Sequence, residues 1–378
     1  MMLGVEKRHL RPAFLLGVLA VFLSIPVAGV HAQKRVKDLP PPPPLWKAKP
    51  TPTPTPPPPE QIEVIRTTSN LVMVPVSVTD RDGQAVQGLT KEQFQLQEEG
   101  KRQEITGIGN PEEVPLAIAL LFDISSSVSQ KGFFQFQQNA AAAFLKQVMK
   151  PNDRAAIFTI ASQPAMVQPL STAQEATAKV VTIPAATSSV ATAFYDTVTA
   201  AAKYLETAPS QYRRVIIVIT DGDDNNSKRI VSIPKDEATA SNNGQLVGST
   251  ARANLVARHR LAVTDVQQAA QKADAIFYSV NPGGPSVRLN EIAMRAEGGM
   301  EAIAEATGGA AFIPDGEKDL ERVFRQVAAE LRGQYLLQYY GNSDAPASQF
   351  RRIQVSVPAR ADVRVRARQG YYPKKQQD

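Results

Sequence analysis

Side chains with oxygen atoms stand at the ends of three segments whose patterns predict a strand or a helix. The stretch LLFDISSS places Asp123, Ser125 and Ser127 at every second position after a run of apolar residues. Thr192 stands just before a helical pattern in TAFYD, and Asp221 follows the apolar run VIIVIT. Carboxylate and hydroxyl oxygens are hard ligands, which suit Mg²⁺ and, less exclusively, Mn²⁺ or Ca²⁺. These five residues therefore predict a divalent metal site.

The predicted ligand set would leave part of the metal's coordination sphere open. Mg²⁺ requires six oxygens in near-octahedral geometry. Ser125, Ser127 and Thr192 could bind the ion directly, and Asp123 and Asp221 could bind it directly or through water. At least one position then remains for water or an incoming ligand. Because the protein supplies few negative charges, the ion would stay electrophilic, and a carboxylate from a partner protein would be a strong sixth ligand.

The pattern of the central chain predicts how these residues meet. From Pro115 to Arg332, buried strand candidates such as PLAIALLFD and YRRVIIVIT alternate with helical segments. This repetition predicts an α/β, Rossmann-like, doubly wound domain with a mainly parallel sheet. In such sheets ligands bind at the carboxyl ends of the strands, where the strand order reverses. The three segments are expected to converge there.

Segments of period two flank this domain on both sides. LVMVPVSVTD precedes it, and QYLLQYY, FRRIQVSV and ADVRVRARQGYY follow it. Neither flank is large enough to be stable alone. We therefore expect one small β-sandwich, split in sequence, with the α/β domain inserted between its halves. Pro75 suggests an edge position or a strand start, and VTDRDGQ reads as a hairpin turn.

Three arginines alternate along the last strand candidate. Arg364, Arg366 and Arg368 share one of its faces. We expect this face to be solvated, and the alternative is a contact with anionic lipid or polysaccharide.

The N-terminal region is typical of an exported protein. Basic residues precede an apolar run at 13–30, and VHAQ supplies small residues for cleavage before Gln33. The alternative is an uncleaved membrane anchor, although Pro26 interrupts the run. Residues 40–59 hold 12 of the 29 prolines, which predicts an extended spacer.

Composition and export together limit the classes of function. The chain has no cysteine, which excludes disulfides, thiol catalysis and a zinc–thiolate site. Its formal net charge of +6 falls to +4 once the basic signal region is removed, which is only mildly basic. Export argues against nucleic acid as a partner. The sequence sets no expectation for the oligomeric state.

These patterns divide the 378 residues into six parts. We expect a signal peptide at 1–32, a proline-rich linker at 33–60, the first part of the sandwich at 61–112, the α/β domain at 113–332, the second part of the sandwich at 333–373 and a tail at 374–378. The mature protein would be periplasmic or secreted, and could associate with the envelope or a membrane surface.

The three motifs resemble those of the von Willebrand factor type A domain and its metal-ion-dependent adhesion site. Asp123, Ser125 and Ser127 match the first motif. TAFYD at Thr192 is similar to the second, and TDG at Asp221 looks like the third. The resemblance covers about 113–332, and the flanks look like those of a bacterial exported subfamily. It implies a non-enzymatic protein that captures an acidic group of a partner protein through a bound metal.

Two features depart from the family pattern. SSVA stands before Thr192, where glycines are common in the family. A long polar insertion at about 227–260 follows Asp221, and we expect it to lie at the rim of the site. It could alter or cover the face that meets the ligand.

Two other functions stay open. The metal site could be vestigial or structural in a scaffold protein. A metal-dependent hydrolase would need a general base beside a metal-bound water, and Asp223 or Asp224 could serve. A serine hydrolase built on Ser127 would need a histidine base, and the mature chain offers only His259, within the polar insertion.

Overall fold

The computed structural model describes residues 71–125, 134–188, 190–232, 247–284, 291–341, 346 and 348–373. The predicted signal peptide, the proline-rich linker, Ser127, the C-terminal tail and part of the polar insertion lie outside these residues. No helix within the described ranges is both long enough and apolar enough to cross a lipid bilayer.

The described residues form three sheets and a set of helices. The strands are β1 (Leu71–Thr79), β2 (Gln95–Glu98), β3 (Lys101–Gln103), β4 (Gly107–Gly109), β5 (Leu116–Asp123), β6 (Arg154–Ile160), β7 (Ala165–Ser171), β8 (Arg213–Ile219), β9 (Ala275–Val280), β10 (Ala310–Phe312), β11 (Tyr335–Tyr340), β12 (Arg351–Ser356), β13 (Arg364–Ala367) and β14 (Gly370–Tyr371). The helices are α1 (Phe134–Val148), α2 (Ala173–Val180), α3 (Phe194–Glu206), α4 (Lys228–Val231), α5 (Val247–Ala273), α6 (Glu291–Thr307) and α7 (Glu317–Gly333).

The six-stranded sheet confirms the predicted doubly wound α/β fold. Its order is β10-β9-β8-β5-β6-β7, and the pairs are parallel except for β6 with β7. From β5 the chain first adds β6 and β7 on one side and then β8, β9 and β10 on the other. The strand order therefore reverses between β5 and β8, which is where such sheets bind ligands.

Strand β5 is apolar throughout because it is covered on both faces. Its large side chains, from Leu116 to Phe122 at alternate positions, pack with α1, α2 and α7. The intervening Ala117, Ala119 and Leu121 pack with α3, α5 and α6. A strand buried on both faces loses the polar alternation of a half-exposed strand, as its sequence predicted.

The flanking strands form two further sheets, as predicted. Their orders are β13-β1-β11-β4 and β14-β12-β2-β3, so each sheet combines strands from both flanks. One apolar core lies between them and takes side chains from both, including Val74, Val76, Leu96, Leu337 and Ile353. The split β-sandwich with an inserted α/β domain is therefore confirmed.

The expectation that Pro75 marks an edge holds at Pro75 itself but not for the whole of strand β1. Strand β1 has neighbours on both sides, β11 and β13. Pairing with β11 spans Leu71 to Val76, whereas pairing with β13 begins only at Val76. Proline is tolerated because at its own position the strand has one neighbour, so the missing N–H removes no ladder hydrogen bond.

Two parts of the predicted polar insertion lie within the described residues. Residues 228–231 form α4, and residues 247–260 begin the long helix α5 rather than a loop. Leu255 packs against the core on that face of the sheet, and His259 is buried. Buried side chains at helical spacing fix this segment as helix despite its polar neighbours.

The prediction of a solvated arginine face is wrong for two of the three arginines. Arg366 forms an ion pair with the buried Glu330 of α7. Arg368 pairs with Asp274 at the end of α5. Arg366 of β13 and Arg368, which follows it, thus join the sandwich to the α/β domain, and Arg364 remains exposed.

Candidate functional site

The reversal of strand order brings two of the predicted segments side by side. Strands β5 and β8 are neighbours, and Phe122 pairs with Ile219. Asp123 at the end of β5 therefore lies beside Thr220, one residue before Asp221. The hydroxyl of Thr220 donates a hydrogen bond of 2.6 Å to Oδ2 of Asp123. This contact ties the first segment to the third.

Asp123 is held by its own loop as well. The backbone N–H of Ser125 donates to Oδ1 of Asp123 at 2.7 Å. Asp123 is fully buried, and Ser125 is 2% exposed. The backbone N–H of Gly222 donates to Oγ1 of Thr220 at 2.9 Å, which orients that hydroxyl toward Asp123. The carboxylate therefore has a fixed direction at the edge of the sheet.

Thr192 is tied to the segment that follows Asp221. Its backbone N–H donates to Oδ1 of Asn225 at 2.9 Å, and its carbonyl accepts from the N–H groups of Asn225 and Asn226. Thr192 is 4% exposed and stands directly before α3. The second and third segments are thus joined. Asn225, which carries this connection, was not predicted from the sequence.

The structure brings four of the five predicted site residues to one edge of the sheet. Asp123, Ser125 and Thr192 are buried, and Asp221 is partly exposed. Ser127, the fifth, lies outside the described residues. The hydrogen bonds through Thr220 and Asn225 hold the three segments together, so their proximity does not depend on a metal.

The site carries negative charge that no cation of the described residues neutralises. Burial, with a smaller contribution from the nearby Asp221, raises the pKa of Asp123 to about 6, although the hydrogen bonds from Thr220 and Ser125 oppose the rise. None of the ion pairs between described residues includes Asp123 or Asp221. A buried carboxylate without a cation is unfavourable. Two carboxylates with adjacent hydroxyls are a donor set that fits a hard divalent cation.

Asp224, a candidate general base, has a structural role instead. Its Oδ1 accepts from the N–H groups of Asn226 and Ser227, and its Oδ2 accepts from the N–H of Tyr195 and the hydroxyl of Ser227. It is 3% exposed. These four hydrogen bonds stabilise the start of α3 and the turn into α4. Asp223 is less buried, and burial and Asp221 raise its pKa.

His259 is packed in the core rather than exposed in an insertion. Its Nδ1 lies 3.2 Å from the hydroxyl of Tyr195, and the two rings meet edge to face. Burial lowers the pKa of His259 to about 4. His259 of α5 thus packs against Tyr195 of α3 and holds the two helices together.

Gly222 allows the turn directly after Asp221, and we expect alanine there to be destabilising. Gly222 has φ +75°, and an added Cβ would lie 2.7 Å from Cε of Met300. We expect Gly222→Ala to cost about 1–3 kcal/mol in the free energy of unfolding, measured by urea denaturation. Gly88→Ala is the control, because Gly88 has φ +83° but no atom within 4 Å of its Cβ position. Equal losses in the two variants would contradict a contribution from the Met300 contact.

The comparisons identify the central domain. The family model of the von Willebrand factor type A domain matches residues 118–223, which include all five predicted site residues. No curated protein matches the chain significantly.

Several solved structures are similar at low identity. A von Willebrand factor type A protein from Catenulispora acidiphila is 14% identical, with a TM-score of 0.42 over 71% of this chain and 51% of that one. Proximal thread matrix protein 1 of the mussel byssus, with a zinc-occupied MIDAS motif, is 14% identical, with a TM-score of 0.40 over 61% and 48%. The PilB minor pilin of Streptococcus sanguinis is 13% identical, with a TM-score of 0.41 over 62% and 64%.

The chain spans about half the length of the first two of these proteins. At TM-scores between 0.40 and 0.42 these structures add no argument about the site. The assignment rests on the family match and on the order of the six-stranded sheet. The chain contains a von Willebrand factor type A domain.

Proposed function

We propose that this protein is an exported, non-enzymatic binding protein whose type A domain holds a divalent cation, Mg²⁺ in preference to Mn²⁺ or Ca²⁺. Asp123, Ser125, Ser127, Thr192 and Asp221 would hold the ion. Once bound, the ion supplies an electrophilic position for a carboxylate of a partner protein. The proposed limits of the domain are residues 113–332, between the two parts of the sandwich.

The observation that carries this proposal is the surroundings of Asp123. A fully buried carboxylate lies at the reversal point of the sheet, with only neutral hydrogen-bond donors around it and a second carboxylate close by. A protein gains nothing in stability from such an arrangement by itself. A cation that binds there would neutralise it, and hydroxyl ligands would leave much of the ion's charge available to a partner.

The residues of the chain prepare the site in separate ways. Thr220 and the N–H of Ser125 fix the direction of the Asp123 carboxylate. Asn225 holds the backbone of Thr192 in place. Because these contacts are between protein groups, the Asp123 carboxylate and the Thr192 backbone are already placed when a ligand arrives. Such preorganisation favours affinity.

Neither alternative function gains support from a particular observation. The hydrolase would need a general base. Asp224 is already occupied by four hydrogen bonds, which leaves Asp223 as the one candidate of the two. A scaffold with a vestigial metal site would gain nothing from a buried Asp123 carboxylate that no protein cation neutralises. Adhesion therefore remains the function that the geometry supports best.

The proposal is tested by calorimetric titration of Mg²⁺ and Mn²⁺ into the purified full chain. We expect uptake of one ion, and no uptake by Asp123→Ala. Asp265→Ala is the matched control, because Asp265 is an exposed carboxylate paired with Arg229, and we expect it to bind metal normally. A pull-down from the exported fraction, with and without chelator, then looks for a partner.

The possible results separate adhesion from the scaffold function. Partner binding that is lost with chelator and in Asp123→Ala supports adhesion. Partner binding that survives both treatments supports the scaffold. Absence of metal uptake by the unaltered chain overturns the proposal.

A further inference from the structure

A second candidate site lies at the opposite end of the α/β domain. A cavity of about 630 Å³ opens between the sandwich and the amino ends of the parallel strands. Its walls include Pro115 before β5, Arg213 and Arg214 at the start of β8, and Ala275 at the start of β9. Its size falls within the range of about 300–1,000 Å³ that is typical of ligand sites.

Three buried arginines line this cavity. Arg213, Arg214 and Arg368 are 6%, 6% and 9% exposed. Arg213 donates to the side chain of Gln334 and to backbone carbonyls. Within the described part of the chain, Arg214 donates to the carbonyls of Ala208 and Ala273. Burial, with the nearby Arg332, lowers the pKa of Arg213 to about 10.

The charge of this cluster is only partly balanced. Arg368 pairs with Asp274, but no ion pair between described residues includes Arg213 or Arg214. The Nε–H groups of all three arginines lack an acceptor within the described part of the chain. Buried guanidinium groups are most stable when paired with a carboxylate. Glu113 and Asp274 also line the cavity, so three arginines face two carboxylates there, and a ligand with one negative charge would balance the cluster.

One wall of the cavity is an open strand edge. Strand β1 pairs with β13 only from Val76 to Thr79, so Leu71 to Pro75 have a strand neighbour on the β11 side alone. Leu71, Met73 and Pro75 all line the cavity. The carbonyl of Met73 points into it and accepts from Nη2 of Arg368 at 2.8 Å. Because backbone direction alternates along a strand, the polar groups of Leu71 and Pro75 face the same way.

We propose that this cavity binds an extended, apolar peptide segment of a partner protein that carries one acidic side chain. The peptide would lie along Leu71–Pro75 as an added strand, and its carboxylate would face Arg213 and Arg214. An open edge of five residues is about 17 Å long, which accommodates about five residues of peptide. Strand addition would use the N–H groups of Leu71 and Met73, since Pro75 has none, and Arg368 would give up the Met73 carbonyl to the peptide. The acidic side chain would face the arginines that have no carboxylate partner.

The other walls fit the same ligand. Apolar and aromatic side chains, among them Val114, Ile276, Tyr371 and Tyr372, surround the open edge. They would cover the apolar side chains of an added strand. This site is separate from the proposed metal site, because it lies at the amino ends of the strands and Asp123 lies at a carboxyl end.

The test uses the full chain in the presence of chelator, so that the metal site cannot contribute. The probe is the blocked peptide acetyl-Thr-Val-Glu-Val-Thr-amide, and its matched control replaces Glu with Gln. We expect calorimetry to show at least ten-fold tighter binding of the Glu peptide. Hydrogen exchange followed by NMR is expected to show that the Glu peptide slows exchange of the Met73 N–H.

A substitution at the mouth of the cavity provides the second arm. Leu71 is 51% exposed, so Leu71→Glu should fold normally while repelling an acidic peptide, and we expect at least ten-fold weaker binding. Met166→Glu makes the same change at a residue that is 47% exposed on β7, and should leave binding unchanged.

Four results would overturn the proposal. The first two are no binding of the Glu peptide at millimolar concentration and equal binding of the Gln peptide. The third is that hexanoate, a free organic acid, competes equally well without protecting the Met73 N–H. The fourth is a Met73 N–H that is already protected in the free chain. The third result would assign the cavity to a free organic acid. The fourth would mean that residues of this chain or of a second copy already cover the edge.

Discussion

Replacing Asp123 by Asn is expected to stabilise the metal-free protein at pH 7 by about 1–3 kcal/mol and to abolish its uptake of Mg²⁺. The pKa of Asp123 is raised from 3.8 to about 6 because the side chain is buried. The folded state therefore binds this proton more tightly than the unfolded state. Ionisation costs stability as the pH rises from about 4 to about 6, and the full cost remains above that.

Asn fits the same hydrogen bonds. Its oxygen can accept from the N–H of Ser125. Its amide can donate to Oγ1 of Thr220, which has a second lone pair beside the one that accepts from Gly222. The variant thus loses the cost of the buried charge but keeps the geometry. Urea denaturation at pH 7 measures the gain, which should shrink toward pH 4. Saturating Mg²⁺ should stabilise the unaltered chain and leave the Asn variant unchanged.

Asp224→Asn is the matched control for this prediction. Asp224 is also buried, but both of its oxygens accept from donors, including the N–H of Tyr195. An amide in its place would set N–H against N–H, so we expect a loss of about 1–3 kcal/mol. A gain in Asp224→Asn, or a loss in Asp123→Asn, would show that Asp123 is a structural group and not a site prepared for a cation.

Asp153→Ala is expected to lower the free energy of unfolding by about 3–5 kcal/mol. The Asp153 side chain is 1% exposed and pairs with Arg332 near the end of α7. Its two oxygens also accept from the N–H groups of Leu116 and Lys150, each at 2.7 Å. Removing the carboxylate leaves one arginine and two backbone donors without their partner. Urea denaturation of the purified variant measures the loss.

Two further variants define the origin of this loss. Asp153→Asn keeps an acceptor for one N–H but loses the charge, so its stability should lie between those of the unaltered chain and Asp153→Ala. Asp362→Ala removes an exposed partner of Arg360, and exposed pairs contribute little. A loss in Asp362→Ala as large as that in Asp153→Ala would contradict the role of burial.

The parts of the fold that depend on local patterns could be predicted from the sequence. The apolar run of β5 ends at Asp123, and that of β8 ends just before Thr220. Parallel strands align such ends at one edge of a sheet, which is enough to predict that Asp123 and Asp221 lie near each other. The β-sandwich could be predicted because both flanks alternate with period two and neither flank is large enough to be stable alone.

The parts that depend on distant partners could not be predicted. The sequence DGDDNN contains three acidic residues with no local sign that Asp224 binds the start of α3 whereas Asp221 stays partly exposed. Likewise, Arg366 appears on a strand that alternates polar and apolar residues, and only the fold places Glu330 opposite it. Burial of a charged side chain depends on its partner, which a short window of sequence does not contain.

The strand order of the sandwich has a consequence for biosynthesis. Strand β1 is made early, but both of its neighbours, β11 and β13, come from the last part of the chain, as does β12 beside β2. The sandwich therefore cannot close before β11, β12 and β13 have been synthesised. Until then the valines of β1 are exposed and prone to aggregation. A holding chaperone during synthesis, or passage across a membrane before folding, would protect β1 during this interval.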